Sequence, residues 1–115
     1  MNRKFRLSKS AEFERVRRSG KSYAHPLIVL VVHENECSGV RIGVTAGRSL
    51  GGAVRRNRAK RQMRASMHPF LDQIPPGKDL VWIARRPLLG ASFQELQQAM
   101  LLLMQRAGLV NNHDR

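Results

Sequence analysis

The sequence predicts an α+β fold: a compact two-layer α/β sandwich with its elements in the order α-β-β-α-β-α. Three observations lead there. Near-continuous runs of aliphatic and β-branched residues at 27–33 and 79–84, and an alternating run at 40–46, read as strands. Around them lie segments whose apolar residues recur at helical spacing, bounded by capping or breaking residues. At 115 residues with 42% hydrophobic content, the chain is the size of a single domain and can build a core. It contains no internal repeat and no low-complexity segment, so residues 1–115 are read as one domain.

Residues 1–7 form a basic arm carrying Arg3, Lys4 and Arg6. Ser8 or Ser10 is placed to cap a short helix, with Glu12 and Glu14 in the first turn, where the helix dipole favours acids. Ala11, Phe13 and Val16 give this helix a limited apolar side, and Gly20 is expected to end it as a C′ residue. The first strand is apolar on both faces, with a break near His25-Pro26 that would divide it in two. Residues 34–39 are a polar connection of hairpin length. In the next strand Val40, Ile42, Val44 and Ala46 share one face. Arg41, Gly43 and Thr45 share the other, where small residues would leave a shallow, open surface.

A glycine-rich turn then enters the second helix. Ala59, Met63, Met67, Phe70 and Ile74 supply its core side. Pro69 is expected to end or kink it, pushing His68 out of the αR region, with residues 70–74 adding a further turn. Pro75-Pro76-Gly77-Lys78 breaks the chain before the third strand. The last helix opens on a capping box from Ser92 to Glu95, runs through Leu96, Met100, Leu103 and Met104, and stops at Gly108. Residues 109–115 are expected to fray.

The second helix carries the charge. From Gly51 to Arg64 there is no acid, but there are Arg55, Arg56, Arg58, Lys60, Arg61 and Arg64. On a helix Asn57, Lys60, Arg61 and Arg64 fall on one side, with Arg58 and Arg55 extending the arc. Like charges at these spacings repel by roughly 0.2–0.5 kcal/mol per pair, a cost that a polyanion removes. A solvated helix face is the ordinary meaning of a charge run. Here the single sign and the abundance of arginine favour phosphate contact instead. The formal net charge of +13 also implies a polyanionic partner. A membrane surface fits less well, since no apolar run approaches the ~20 residues of a spanning helix and no interfacial apolar face accompanies the charges. Cys37 is the single cysteine, so no internal disulfide can form. With no hydrophobic segment after the basic N-terminus, the expected setting is cytoplasmic.

Catalytic chemistry is hard to assemble from the remaining residues. His25, His33, His68 and His113 are scattered. His33, Glu34, Glu36 and Cys37 match no metal-ligand spacing and read as a polar loop. No acids pair as two-metal phosphoryl transfer requires, and no Gly-Lys-Ser/Thr follows Gly51-Gly52. A self-sufficient enzyme is not expected; binding is. Aromatics are scarce, so base stacking is confined to Phe13 and Tyr23, for each of which a core position is the competing explanation.

Arg56-Asn57-Arg58-x-Lys60-Arg61, with Ala53-Val54 before it and Arg64 after it, resembles the Arg-Asn-Arg signature of the bacterial ribonuclease P protein subunit family. Arg3-Lys4-Phe5-Arg6-Leu7, Glu12-Phe13-x-x-Val16 and Gly20-Lys21-Ser22-Tyr23 resemble the family's opening. Arg41-Ile42-Gly43-Val44-Thr45 and Asp79-Leu80-Val81-Trp82-Ile83-Ala84-Arg85 resemble the strands flanking the signature. The resemblance spans roughly residues 3–106. It implies a fold of the ribosomal protein S5 second-domain type, with a left-handed βαβ crossover against the usual right-handed preference. It also implies a function: binding the catalytic RNA of ribonuclease P, one protein to one RNA, to help remove the 5′ leader from precursor tRNA. The RNA would hold the magnesium and perform the hydrolysis; the resemblance implies no membrane and no small-molecule substrate.

Carried over by position, the resemblance assigns Arg56, Asn57, Arg58, Lys60, Arg61 and Arg64 to the RNA subunit, and Arg55, on the same charged arc, is expected to join them. It assigns Phe13, Thr45 and Arg48 to a leader cleft between the first helix and the sheet, and Arg17, Tyr23 and Arg41 are expected to line the same cleft. Gly52 stands where the family usually has Asn, and Ala65 where an acid is common. Arg17 and Val31 replace frequent aromatics, which would shift leader binding from stacking towards charge and make it more salt-sensitive. The alternatives are a ribosomal or general structured-RNA-binding protein, an autonomous metal-dependent nuclease, and a DNA-binding helix. The nuclease lacks ligands, and the DNA-binding helix lacks helix-turn-helix surroundings.

Overall fold

A computed structural model describes residues 6–7, 10–35 and 39–110. Its elements are helix α1 (Ser10–Ser19), strands β1 (Lys21–Ala24), β2 (Ile28–Glu34) and β3 (Val40–Ala46), helix α2 (Ala53–Met67), strand β4 (Lys78–Ala84) and helix α3 (Phe93–Arg106). The break expected near His25-Pro26 is a tight turn. His25 and Ile28 exchange both backbone hydrogen bonds, with Pro26 and Leu27 at the corner. It divides the first expected strand into β1 and β2; the order is otherwise the one expected.

The sheet order is β1-β2-β4-β3, with β4 antiparallel to β2 and parallel to β3. The polar connection after Glu34 therefore does not close a hairpin, because β4 lies between the two strands it joins. The reason is burial. Leu80, Val81 and Trp82 are all fully buried, so β4 carries apolar side chains on both faces and is covered only in the sheet interior. Gly77, at φ 83°, spans the gap. Its carbonyl accepts from the Asn35 N–H at 2.8 Å, and its own N–H donates to the Gly39 carbonyl at 3.0 Å.

Alternation sorts the strand residues onto two faces. Ile28, Leu30, Ile42, Val44, Leu80 and Trp82 pack beneath Ala59, Met63 and Met67 of α2 and Leu96, Met100 and Leu103 of α3. α2 lies over β3, and α3 over β1 and β2. On the other face Val31 and Val81 lie beneath Leu7 and Val16, with Phe13, Val29 and Ile83 at the margin. Gly20 follows α1 without a positive φ, so it is not the left-handed cap expected. Close packing requires it instead: a Cβ there would come within 2.5 Å of the Val16 carbonyl oxygen and 2.7 Å of Val31 Cγ1.

Pro69 ends α2 at Met67, but the chain continues as a 3-10 segment, His68–Gln73, and His68 stays in the αR region at φ −50°, ψ −46°. Leu71 and Ile74, both in the core, anchor this extra turn against the pre-proline bias. α3 opens on the expected capping box, with the Glu95 N–H donating to Ser92 Oγ at 3.0 Å and the Ser92 N–H to Glu95 Oε1 at 2.8 Å. It ends on a Schellman turn at Gly108, φ 73°, where the Leu109 N–H reaches the Met104 carbonyl and the Gly108 N–H the Gln105 carbonyl. That turn folds Leu109 and Val110 into the core, so the expected fraying does not begin at 109. The expectations for residues 1–5, Ser8, Glu36, Cys37 and 111–115 lie outside the described residues.

Candidate nucleic-acid interface

The core sets the helical phase of α2. Ala59, Met63, Ser66 and Met67 are buried, which turns Asn57, Arg58 and Arg61 outward, exposed together with Arg55; Arg56, Lys60 and Arg64 lie at the half-buried margins. The helix N-terminus has no acid in its first turn and no side-chain cap from Gly52. The stem of Arg55 lies across Gly51, φ 113°, where a Cβ would come within 3.1 Å of Arg55 Cδ.

Among the described residues no carboxylate forms an ion pair with this surface. Ion pairs among the described residues join Arg41 to Glu12, Arg41 to Asp79 and Lys78 to Glu34, and no basic residue of α2 takes part in them. Arg56 Nε is buried without a hydrogen-bond partner. The Arg64 guanidinium is held below arginine's ordinary range, first by desolvation and then by Arg6. Arg6 arrives by the outer edge of β3, where it bridges Ile42 and the Leu7 N–H donates to the Ile42 carbonyl at 2.9 Å. Arg6 thus extends the basic surface of α2 around the β3 edge. Local sequence marks Arg6 as basic but carries no sign that it lies beside Arg64.

On the opposite face of the sheet, strand register lines residues up in rows. One row is Ser22, Val31, Val81 and Gly43; the next is Ala24, Val29, Ile83 and Thr45. Ser22, at the end of the first row, is exposed, and α1 covers Val31, Val81 and Gly43. Its Phe13 ring lies on Gly43, where a Cβ would come within 2.6 Å of both Cε1 and Cζ. The second row is open: Ala24 is exposed, and Val29, Ile83 and Thr45 are partly so. The result is a shallow trough with a largely apolar floor and half-buried Phe13 beside it. Arg17 on α1 and Arg48 beyond the end of β3 are exposed.

Of the three residues expected to share an open surface, Thr45 lies in the open row, whereas Gly43 is buried under Phe13. Arg41 does not line it either. Its Nε donates to Asp79 Oδ1 at 3.0 Å and its Nη2 to Asp79 Oδ2 at 2.9 Å, while Nη1 pairs with the Glu12 carboxylate. Asp79 is 1% exposed and also accepts from Asn35 Nδ2 at 2.7 Å. Tyr23 sits on the other face of the sheet. It is registered against Leu30 at the margin of the core beneath α3, with the Lys21 ammonium 5.7 Å from its ring centroid. Tyr23 and Phe13 therefore do not share a cleft. Val31, where an aromatic is frequent, is 3% exposed, in the core with Val16.

Among the described residues no group of three or more His, Cys, Asp or Glu is arranged to hold a metal ion. No helix among them is long and apolar enough to cross a membrane.

The family model described as Ribonuclease P matches residues 1–108. A ribonuclease P protein component from Herpetosiphon aurantiacus is 43% identical over 115 residues, covering 100% of this chain and 92% of the relative. The solved Staphylococcus aureus RNase P protein superposes with a TM-score of 0.84 at 30% identity, over 93% of this chain and 98% of that one. A mutant of the S. aureus protein, described as having defective mRNA degradation activity, superposes with a TM-score of 0.84 at 27% identity, over 92% and 90% of the two chains.

Proposed function

Because this chain belongs to the ribonuclease P protein family, we propose that it acts by positioning. It docks on the RNA subunit through α2 and holds the 5′ leader of precursor tRNA in the trough beside α1. The RNA, with its own magnesium, cleaves the leader. The observation that carries this reading is the unneutralised charge of α2: six basic residues, none ion-paired among the described residues, on a helix whose other side is core. An RNA backbone supplies the missing countercharge. On this reading one protein serves one RNA in the cytoplasm, with no membrane or small-molecule substrate.

Protein alone, RNA subunit alone and the two together, assayed on precursor tRNA across magnesium concentrations, separate the two contributions. We expect no cleavage by protein alone and turnover at low magnesium only for the pair. Cleavage by protein alone that survives nuclease treatment would overturn the non-catalytic role. An mRNA belongs in the same assay, given the activity ascribed to the S. aureus protein. If the chain instead pulls down ribosomal RNA and no ribonuclease P RNA, it serves as a general RNA-binding protein.

A further inference from the structure

We propose that Glu12, acting through Arg41 and Asp79, sets where Phe13 rests on the sheet and thereby keeps the leader trough open. Glu12 and Arg41 are then positioning residues rather than leader contacts. The proposal rests on the leader-trough reading above.

α1 meets β3 at two consecutive same-face positions. Glu12 pairs with Arg41, and the next residue, Phe13, lies on Gly43. The following same-face residue is Thr45, in the open row. Thr45 is about 6.8 Å further along the strand, so a shift of the N-terminal part of α1 in that direction would move the Phe13 ring off Gly43 towards Thr45 and narrow the trough. Gly20, packed against Val16 and Val31, pins the C-terminal end of α1, whereas nearer its N-terminus the apolar contact of Phe13 with the sheet is non-directional. The ion network is directional. Asp79, with its side chain 2% exposed, is the fixed point, held by Asn35 and gripping Arg41 in a two-pronged pair. Arg41 projects from it to Glu12, and these two side chains are only 24% and 18% exposed. Solvent therefore screens their attraction less than it would on an open surface.

The test uses holoenzyme assembled from the protein and the RNA subunit, acting on precursor tRNA with a long leader or a single-nucleotide leader. For the wild type, KM should be lower with the long leader. In Glu12→Gln the long-leader KM should rise roughly three- to tenfold, the scale of one ordinary hydrogen bond, because the Gln amide oxygen can still accept from Arg41, and the ratio of the two KM values should move towards one. Affinity for the RNA subunit should not change. Phe13→Ala should collapse the ratio in the same way, and adding Glu12→Gln to it should do nothing more, because both act at one ring. If Glu12→Gln fails to fold, Glu12→Asp keeps the charge on a shorter stem and should give an intermediate ratio. A ratio left at the wild-type value in a folded Glu12 variant would overturn the positioning role, even if that variant were less stable. A wild type indifferent to leader length would overturn the trough reading itself.

Discussion

Replacing Arg58 and Arg61 together with alanine tests the docking surface where it is cleanest. The two are exposed neighbours at i,i+3 on the side of α2 away from Ala59 and Met63, and no ion pair among the described residues uses either. In the free protein their removal relieves a repulsion of ~0.2–0.5 kcal/mol and puts a better helix former at both sites. Stability should therefore hold or rise slightly. In the complex each lost charged contact costs ~1.5–3 kcal/mol, so two independent contacts cost about 3–6 kcal/mol, and less if both reach one phosphate. The slope of log K against log salt should flatten by ~0.7–0.9 per lost phosphate contact, taking nucleic-acid duplex and single-strand values as bounds. Affinity for the RNA subunit at several salt concentrations, beside a urea midpoint, measures all of this. Unchanged affinity and slope would refute the assignment of α2 as the docking face. A loss of affinity matched by an equal loss of stability would mean that the fold, not the contact, had been damaged.

Three other outcomes follow from the packing. Gly43→Ala should cost ~1–3 kcal/mol by overpacking, since the new methyl would lie 2.6 Å from two carbons of the Phe13 ring; an unchanged urea midpoint would show that the ring is not seated there. Asp79→Asn keeps the shape of a buried side chain but removes the charge facing Arg41, and should cost about 3 kcal/mol, the low end for a broken buried pair because Glu12 still faces Arg41. Denaturation of the variant checks this, and a loss below about 1 kcal/mol would contradict a buried pair of that kind. Tyr23→Phe should leave KM for a long-leader precursor unchanged, because Tyr23 lies on the α3 side of the sheet; a raised KM would return its hydroxyl to the leader.

The geometry joins the two activities at one strand. β3 is the edge strand beneath α2; its opposite face carries Arg41, Gly43 and Thr45, and its outer edge receives Arg6 and Leu7. RNA docked on α2 and a leader in the trough would thus meet at the rim of the sheet, next to Arg48 and the turn into α2. Displacements at β3 would be felt at both sites.

The sequence by itself determined the elements, the phase of α2 and its charged side, the capping box of α3 and the family. All of these are written in local spacing: Ala59, Met63 and Met67 recur with the helical turn, and the arginines fill the positions between. Only the tertiary structure decided that β4 separates β2 from β3, that Tyr23 faces away from Phe13, and that Arg41 is held by Asp79 and Glu12, 38 and 29 residues away along the chain. Local periodicity tells which side of an element is apolar. It does not tell which distant element will lie against that side, and that choice is made by competition among all the surfaces the chain must bury at once.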